Sequence, residues 1–394
     1  MSTYGFLISV SLLVVLSYVF NLVAKRIRVP SVLLLITTGL LITLGGDYLN
    51  ELTGLQLNLA KLYDPAIVEM LGQVGIILIV MEGSLDLFLS RNKRPIVTRA
   101  FLAALLILLL SSVAIAFAFR YLHDTSFIRG LAYAIPLSVM SSAIVIPSVA
   151  GLQERKREFM IYESTLSDIL GIMFFNFVVT TNQTGLGDIA LSISTNLLIT
   201  VGVSLLFAYL LVLMLNYLET QLKLFLIIAI LVMLYATGKV MHFSSLLLIF
   251  LFGLILNNIN TFFSGKLGRI IKKENAKPIV RDFKILTAET AFLVRTFFFV
   301  IFGMSIDLSA LIDLDVLFVG GIVLLLIYGV RLLNLAVIQH SSIFPELLLA
   351  PRGLVTILLF YMIPVSYQIP DFGQGVMFFI ILMTSLIMTE GLVV

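Results

Sequence analysis

The stretch MIYESTLSDILGIMFF, residues 160–175, places Glu163 and Asp168 in a segment that is otherwise largely apolar. A charge at the centre of a bilayer costs at least about 3 kcal/mol, so acids in a spanning helix normally face the protein interior or an aqueous cavity. Residues four apart share a helix face, which pairs Ser164 with Asp168 and Glu163 with Ser167. The two carboxylates are five residues apart and point about 140° from each other. The stretch therefore predicts two separate roles for the two acids rather than one paired-carboxylate site.

The whole chain has the composition of a polytopic membrane protein. Its 394 residues are 60% hydrophobic and 12% charged, with a mean hydropathy of +1.13, whereas soluble domains are about 45–50% apolar and about 25% charged. The net charge of +3 does not indicate nucleic-acid binding, because the basic residues lie between apolar runs. Without cysteine, and with only three scattered His residues, the chain is not expected to hold a thiolate or histidine metal site.

Apolar runs predict an all-α fold with thirteen membrane-spanning helices, since one span needs about 20 residues. The N-terminus lacks a basic segment and a cleavage site, so we expect a first spanning helix rather than a signal peptide. Most of the 25 Lys and Arg residues fall in alternate loops, which places the N-terminus outside and the C-terminus in the cytoplasm of a cell membrane. The predicted segments are 5–24, 30–46, 66–89, 97–120, 128–152, 158–180, 187–216, 221–238, 243–258, 284–306, 314–337, 345–366 and 372–393.

The fifth and twelfth segments contain residues that interrupt helices. These residues are Pro136 and Pro147 in AIPLSVMSSAIVIPSVAGL, and Pro351, Gly353 and Pro364 in FPELLLAPRGLVTILLFYMIPV. Proline removes a backbone donor, and irregular backbone at membrane depth is tolerated only where it is buried in protein or lines a cavity. Both segments are therefore predicted to be discontinuous helices.

The two interrupted segments occupy the same position, the fifth helix of a repeat, if the chain contains two inverted six-helix repeats. Repeat one covers about 5–180, a linking helix covers about 187–216, and repeat two covers about 221–394. The whole chain, 1–394, is then one transmembrane domain with no soluble domain. Inverted repeats with broken helices are typical of secondary transporters, which bind their substrate near the bilayer midplane.

Other charges also fall within the predicted helices. Asp86, Glu289 and Glu390 lie near helix ends, where they can reach headgroups and water, whereas Glu82, Arg295, Arg331 and Arg352 lie deeper. Glu82 and Arg295 can simply neutralise buried charge, and for Arg331 and Arg352 a functional and a structural role are equally open. Asp168 has serines around it and is the best functional candidate. One carboxylate can hold a proton or a monovalent cation but not both, which is enough to couple the movements of the two ions.

These stretches resemble the monovalent cation/proton antiporter superfamily, in particular its NhaP-type sodium/proton antiporters and exchangers. YESTLSDILGI is similar to the family's ESLLND motif, which matches Glu163, Ser164 and Asp168. VMEGSLDL resembles FEGSLNLD and matches Glu82. VRLLNL and APRGLVTILL resemble the family's arginine-containing segments near the C-terminal end and match Arg331 and Arg352.

The resemblance implies a homodimeric, elevator-like exchanger in membrane lipid whose discontinuous helices 5 and 12 cross. It implies that Asp168 binds the monovalent cation and the proton in turn, and that Glu163 forms an ion pair with Arg331. It suggests Ser164, Ser167, Ser141 and Ser142 as further ligands. Because arginine, unlike lysine, does not lose its proton, Arg331 favours electroneutral one-for-one exchange. No cofactor, nucleic acid or nucleotide-binding domain is expected.

The sequence also departs from the family pattern. The Asn that precedes the aspartate is Ser167 here, and the Thr-Asp-Pro stretch on the fifth helix is replaced by MSSAIVIPSV. That stretch resembles the Kef-type potassium/proton branch, although the Gln-Asp of that branch is absent as well. Sodium is favoured because its motif is the fuller match, and potassium stays open.

Three other classes compete with the antiporter hypothesis. A sodium-coupled organic solute carrier can use the same broken helices, but a short serine-rich break and the absence of tryptophan do not favour an organic substrate. An ion channel would need no coupled proton. An intramembrane enzyme is poorly supported, because there is no cysteine or close pair of histidines and the two acids at 163 and 168 point apart.

Overall fold

The computed structural model describes residues 3–27, 29–53, 65–89, 91–180, 186–217, 223–240, 245–262, 273–338, 343–369 and 372–393. These residues are almost entirely helical and include no β-strand, which confirms the all-α fold class. The helices are α1 (Thr3–Ile27), α2 (Ser31–Thr53), α3 (Pro65–Asp86), α4 (Arg94–Leu122), α5 (Phe127–Ser138), α6 (Ser142–Ser148), α7 (Glu154–Thr180), α8 (Leu186–Tyr217), α9 (Lys223–Val240), α10 (Ser245–Asn257), α11 (Ile259–Phe262), α12 (Lys273–Met304), α13 (Leu308–Ile312), α14 (Leu314–Ile338), α15 (Leu354–Tyr361) and α16 (Gly375–Val393).

Every predicted segment overlaps at least one observed helix. Among the described residues, five helical stretches are long and apolar enough to cross a membrane, namely Arg94–Leu122, Phe127–Gly151, Pro278–Met304, Leu314–Ile338 and Gly375–Leu392. Shorter apolar helical stretches, such as Val10–Ala24 and Ile199–Met214, lie at other predicted spans. The count of thirteen spans therefore stays a prediction. α12 begins well before the predicted residue 284, because its first turns include Lys, Glu and Ala, which favour helix without being apolar, although they also contain Pro278.

The break in the fifth segment does not lie at its prolines. α5 ends at Ser138 and α6 begins at Ser142, while Pro136 and Pro147 lie inside the two helices. Val139 and Ser141 have extended backbones between them. The prolines weaken the helix on either side. The break itself forms where other elements supply acceptors for the backbone N–H groups that no longer bond within a helix.

The twelfth segment is less helical than predicted. Only Leu354–Tyr361 forms α15, and a short 3-10 turn follows at Val365–Tyr367. Residues 343–353 contain no helix. Two prolines and Gly353 lie within that stretch, so few of its residues can sustain helical hydrogen bonding.

The two interrupted segments contact each other at their breaks. The Ser141 N–H donates to the Pro351 carbonyl at 2.9 Å, and the Arg352 Nε donates to the Leu137 carbonyl at 2.7 Å. A Cβ on Gly353 would lie 2.6 Å from the Ser141 Oγ, so glycine allows this close approach. This contact is the crossing that was expected of helices 5 and 12.

The chain divides into two compact units. The first consists of Met1–Ile76, Arg99–Gly171 and Phe292–Val394, and it contains the crossing of the two breaks. The second consists of Ile77–Thr98 and Ile172–Ala291. Within the second, the Asn258 side chain accepts from the Leu89 N–H at 2.7 Å and donates to the Leu87 carbonyl at 2.8 Å, which holds the residues after α3 against the end of α10.

Within the first unit, α2 and α12 pack backbone against backbone through two glycines. A Cβ on Gly39 would overlap the Val300 carbonyl oxygen, and a Cβ on Gly303 would overlap the Ile36 carbonyl oxygen. Thr43 adds a hydrogen bond from its Oγ1 to the Met304 carbonyl at 3.2 Å. Neither glycine can accept a side chain unless the two helices move apart.

We expect Gly303→Ala to destabilise the protein by about 1–3 kcal/mol, because the added methyl group forces the helix backbones apart. Thermal unfolding of the purified protein in detergent measures the effect. Gly45→Ala on α2 is the matched control, since no atom lies within 4 Å of a Cβ at that position. Equal unfolding temperatures for the two variants would show that the α2–α12 contact tolerates the methyl group.

Candidate functional site

One stretch of α7 is polar and yet fully enclosed by protein. Glu163, Ser164, Thr165, Ser167 and Asp168 are each exposed by 4% or less. Together these side chains cover more than one face of the helix, so several neighbouring elements must enclose it. The break between α5 and α6 lies against one of these faces, and α14 lies against another.

The Asp168 carboxylate is held by a single residue at the start of α6. Its Oδ2 accepts a hydrogen bond from the Ser142 N–H at 3.0 Å and another from the Ser142 hydroxyl at 2.5 Å. Its Oδ1 is buried and has no partner within the described part of the chain. One oxygen of the carboxylate is therefore anchored, and the other is available to a ligand.

The remaining predicted serines take different roles. Ser167 Oγ accepts from the Met140 N–H at 3.0 Å, so it satisfies the backbone of the break. Ser164 Oγ donates to the Ile161 carbonyl of its own helix at 3.2 Å. Ser141 Oγ is buried without a partner among the described residues. Ser142 is thus the predicted serine whose hydrogen bonds reach Asp168 directly.

Glu163 and Arg331 form a buried, bidentate ion pair between α7 and α14. Arg331 Nη1 lies 2.7 Å from Glu163 Oε1, and Arg331 Nη2 lies 3.1 Å from Glu163 Oε2. The Arg331 guanidinium also donates twice to the Glu346 carbonyl, from Nε at 3.1 Å and from Nη2 at 2.8 Å. Such forked, charge-assisted bonds are the strong ones in proteins.

Lys156 and Glu346 form a second ion pair, which the sequence analysis did not find. Lys156 Nζ lies 3.0 Å from Glu346 Oε2 and donates to the Phe344 carbonyl at 2.5 Å. The Glu346 side chain is 2% exposed. Its position inside the predicted 345–366 segment was the available signal, since it is a further acid at membrane depth. Glu346 connects the start of α7, through its side chain, to Arg331, through its carbonyl.

Arg352 is buried and takes part in the crossing itself. Its guanidinium donates to the Leu137 and Ala350 carbonyls at 2.7 and 2.8 Å. Its backbone N–H donates to Thr384 Oγ1 at 3.0 Å. Through the bond to Leu137, Arg352 joins the two broken segments, together with the Ser141–Pro351 backbone hydrogen bond.

The other predicted intramembrane charges have mixed environments. Glu82 and Arg295 are half-buried, while Glu289 and Glu390 are exposed. Asp86 forms an ion pair with Lys284 at 2.8 Å. That Glu82 and Arg295 neutralise buried charge stays a prediction.

Around Asp168 the site offers carboxylate and hydroxyl oxygens. Such oxygens can accept a proton or coordinate a hard cation. Thr165 belongs with them, because its Oγ1 is also buried and without a partner in the described chain. Thr165 was not among the predicted ligands, although its spacing of three residues from Asp168 places it on the same helix face, as the spacing of four does for Ser164.

The sequence matches the family model for "Sodium/hydrogen exchanger, transmembrane" over residues 10–394. The chain belongs to the sodium/hydrogen exchanger family. No curated protein matches the sequence.

Solved structures of one antiporter share the fold over the whole chain. The sodium proton antiporter MjNhaP1 from Methanocaldococcus jannaschii at pH 8 aligns with a TM-score of 0.69 at 17% identity, covering 100% of this chain and 96% of that one. A structure of MjNhaP1 from electron microscopy aligns with a TM-score of 0.70 at 18% identity, covering 100% and 95%. At this identity the likeness establishes the NhaP-type fold.

We expect Arg331→Ala to lower the free energy of unfolding by about 3–5 kcal/mol, because it leaves the Glu163 carboxylate charged and unpaired in a dry site. Thermal unfolding in detergent is the measurement. Arg281→Ala is the matched control: Arg281 is paired with Asp282 at 3.8 Å but is 77% exposed, so its loss should leave stability unchanged. An Arg331→Ala variant as stable as the control would show that the buried pair contributes nothing to folding.

Proposed function

We propose that this protein is a secondary antiporter that exchanges a monovalent cation for a proton at Asp168. The proposal rests on the different environments of the two Asp168 carboxylate oxygens. Oδ2 accepts two hydrogen bonds from Ser142, whereas Oδ1 is buried without a partner among the described residues. Membership of the sodium/hydrogen exchanger family supports it. No cofactor enters the mechanism, since the transported ions are the only ligands that it needs.

Burial explains why exchange is coupled. A bare carboxylate in a site that excludes water costs several kcal/mol, so Asp168 is stable there with a proton or with a cation. The two ions compete for the same oxygen, and therefore a loaded site carries one or the other. Alternating access of this site to the two sides of the membrane then moves cation and proton in opposite directions.

The buried ion pair favours electroneutral one-for-one exchange. Asp168 is neutralised by one positive charge in either loaded state. Arg331 keeps its proton throughout, because arginine is effectively always charged, and Glu163 stays paired with it at 2.7 Å. The charge of the protein is then the same on both legs of the cycle.

The family resemblance supports an elevator-like movement in a homodimer within the cell membrane, with the N-terminus outside and the C-terminus in the cytoplasm. Sodium is the favoured cation. Potassium is the second candidate, because the MSSAIVIPSV stretch, which replaces the Thr-Asp-Pro stretch of the NhaP pattern, resembles the Kef-type sequence.

Proteoliposomes with a trapped pH dye and an imposed pH gradient test this proposal. Sodium, lithium and potassium salts are added in turn, with and without a clamped membrane potential. If the pH gradient dissipates only when a particular cation is added, and at the same rate with and without the clamped potential, the result supports electroneutral antiport and identifies the ion. A wild-type protein that responds to none of these cations would contradict the antiporter proposal, and dependence on an organic solute would favour a solute carrier.

We expect Asp168→Asn to abolish cation-dependent proton movement, because the amide can neither take up a proton nor balance a cation. Glu289→Gln removes an exposed helix acid and is the matched control, with exchange like that of the wild type. Exchange retained in Asp168→Asn would exclude the residue from the mechanism.

A further inference from the structure

Thr165 lies on α7 one turn before Asp168, three residues away, so the two side chains share a helix face. Helical side chains lean toward the N-terminus of their helix, which directs the Asp168 carboxylate toward the turn that carries Thr165. Thr165 is 2% exposed. Any group between these two side chains is therefore enclosed by protein.

The Thr165 hydroxyl lacks the hydrogen bond that a helical threonine usually makes. Elsewhere in the described helices, eight threonines donate to the carbonyl four residues earlier, namely Thr37, Thr38, Thr43, Thr287, Thr290, Thr296, Thr384 and Thr389. The corresponding acceptor for Thr165 is the Ile161 carbonyl, which already accepts from Ser164 Oγ at 3.2 Å. Thr165 Oγ1 has no partner in the described chain. A buried hydroxyl in this condition is unfavourable unless a ligand or water completes it.

Two further oxygens, one on Asp168 itself and one at the break between α5 and α6, are in the same condition. Asp168 Oδ1 is buried without a partner among the residues that the structure describes, and so is the Oγ of Ser141, whose neighbour Ser142 bonds to Asp168. A proton on Asp168 needs a single oxygen. A cation that loses its hydration water needs several oxygen ligands. Hydroxyl groups that have no hydrogen-bond partner in the protein can therefore coordinate the cation when it is bound.

We infer that Thr165 is a further ligand of the transported cation and helps to determine which cation the site accepts. This inference rests on the proposed exchange at Asp168. Thr165 Oγ1 and Asp168 Oδ1 approach the cation from one helix, and Ser141 Oγ approaches from the break. In the ESLLND motif that the stretch resembles, the position of Thr165 is an apolar Leu, so the hydroxyl distinguishes this chain from that pattern.

The test compares apparent KM values for sodium, lithium and potassium in proteoliposomes. Thr165→Val keeps the volume and removes the hydroxyl, Thr165→Ala removes it without any steric risk, and Thr165→Ser retains it. Thr200→Val is the matched control, because Thr200 on α8 also has a buried hydroxyl with no partner among the described residues. Thermal unfolding of each variant is measured in parallel.

We expect Thr165→Val and Thr165→Ala to raise the apparent KM for the transported cation by about fivefold to tenfold, as the loss of one ligand predicts. The maximal rate and the unfolding temperature should change little, and the ratio of KM values between cations should shift. Thr165→Ser and Thr200→Val should stay within about twofold of the wild type, well under one factor of ten in affinity.

The inference is overturned if both hydroxyl-free variants keep the wild-type KM for every cation. It is also overturned if they lose maximal rate and stability while KM is unchanged, since that pattern is structural. A failure of the proposed function looks different, because the wild type would then show no cation-dependent exchange or Asp168→Asn would remain active.

Discussion

Backbone that leaves a helix at membrane depth must have its hydrogen bonds completed by protein, because no bulk water is available there. The break between α5 and α6 meets this requirement residue by residue. The Met140 N–H donates to Ser167, the Ser141 N–H to the Pro351 carbonyl, and the Ser142 N–H to Asp168. Asp168 is thus part of the scaffold of the break as well as the candidate ion site. Any ion that binds at its second oxygen is held beside backbone whose geometry the same carboxylate helps to fix.

A second network of charged side chains joins α7, α14 and the residues that precede α15. Glu163, Arg331, Glu346 and Lys156 alternate in sign and are linked through the Glu346 carbonyl and side chain. The network also anchors residues 343–353, which form turns rather than a helix and make only a few backbone hydrogen bonds among themselves. Buried ion pairs often contribute little net stability, but removing only one partner strongly destabilises the protein, because the other charge is left buried and unpaired. Their role here is to hold an irregular segment in one position.

The sequence predicts the helices well and the contacts only in part. Long apolar runs located the segments, and serines around one acid identified Asp168, because both signals are local. The break could be placed only between Pro136 and Pro147, since its position depends on partners from distant elements. Lys156 and Glu346 are 190 residues apart, so no local spacing relates them. Thr165 was missed because a helical threonine is ordinarily satisfied by its own helix, and only the three-dimensional contacts show that Ser164 has taken that carbonyl.

The glycine contact between α2 and α12 limits how these two helices can move. Gly39 and Gly303 are each opposed by a backbone carbonyl of the other helix. If one helix slid along the other by about one turn, Ile36 or Thr43, which share the face of Gly39, would bring a side chain into the space that Gly39 now leaves open. Tilting about the contact needs no such exchange. The close glycine contact therefore opposes sliding of the two helices more than it opposes a change in their crossing angle.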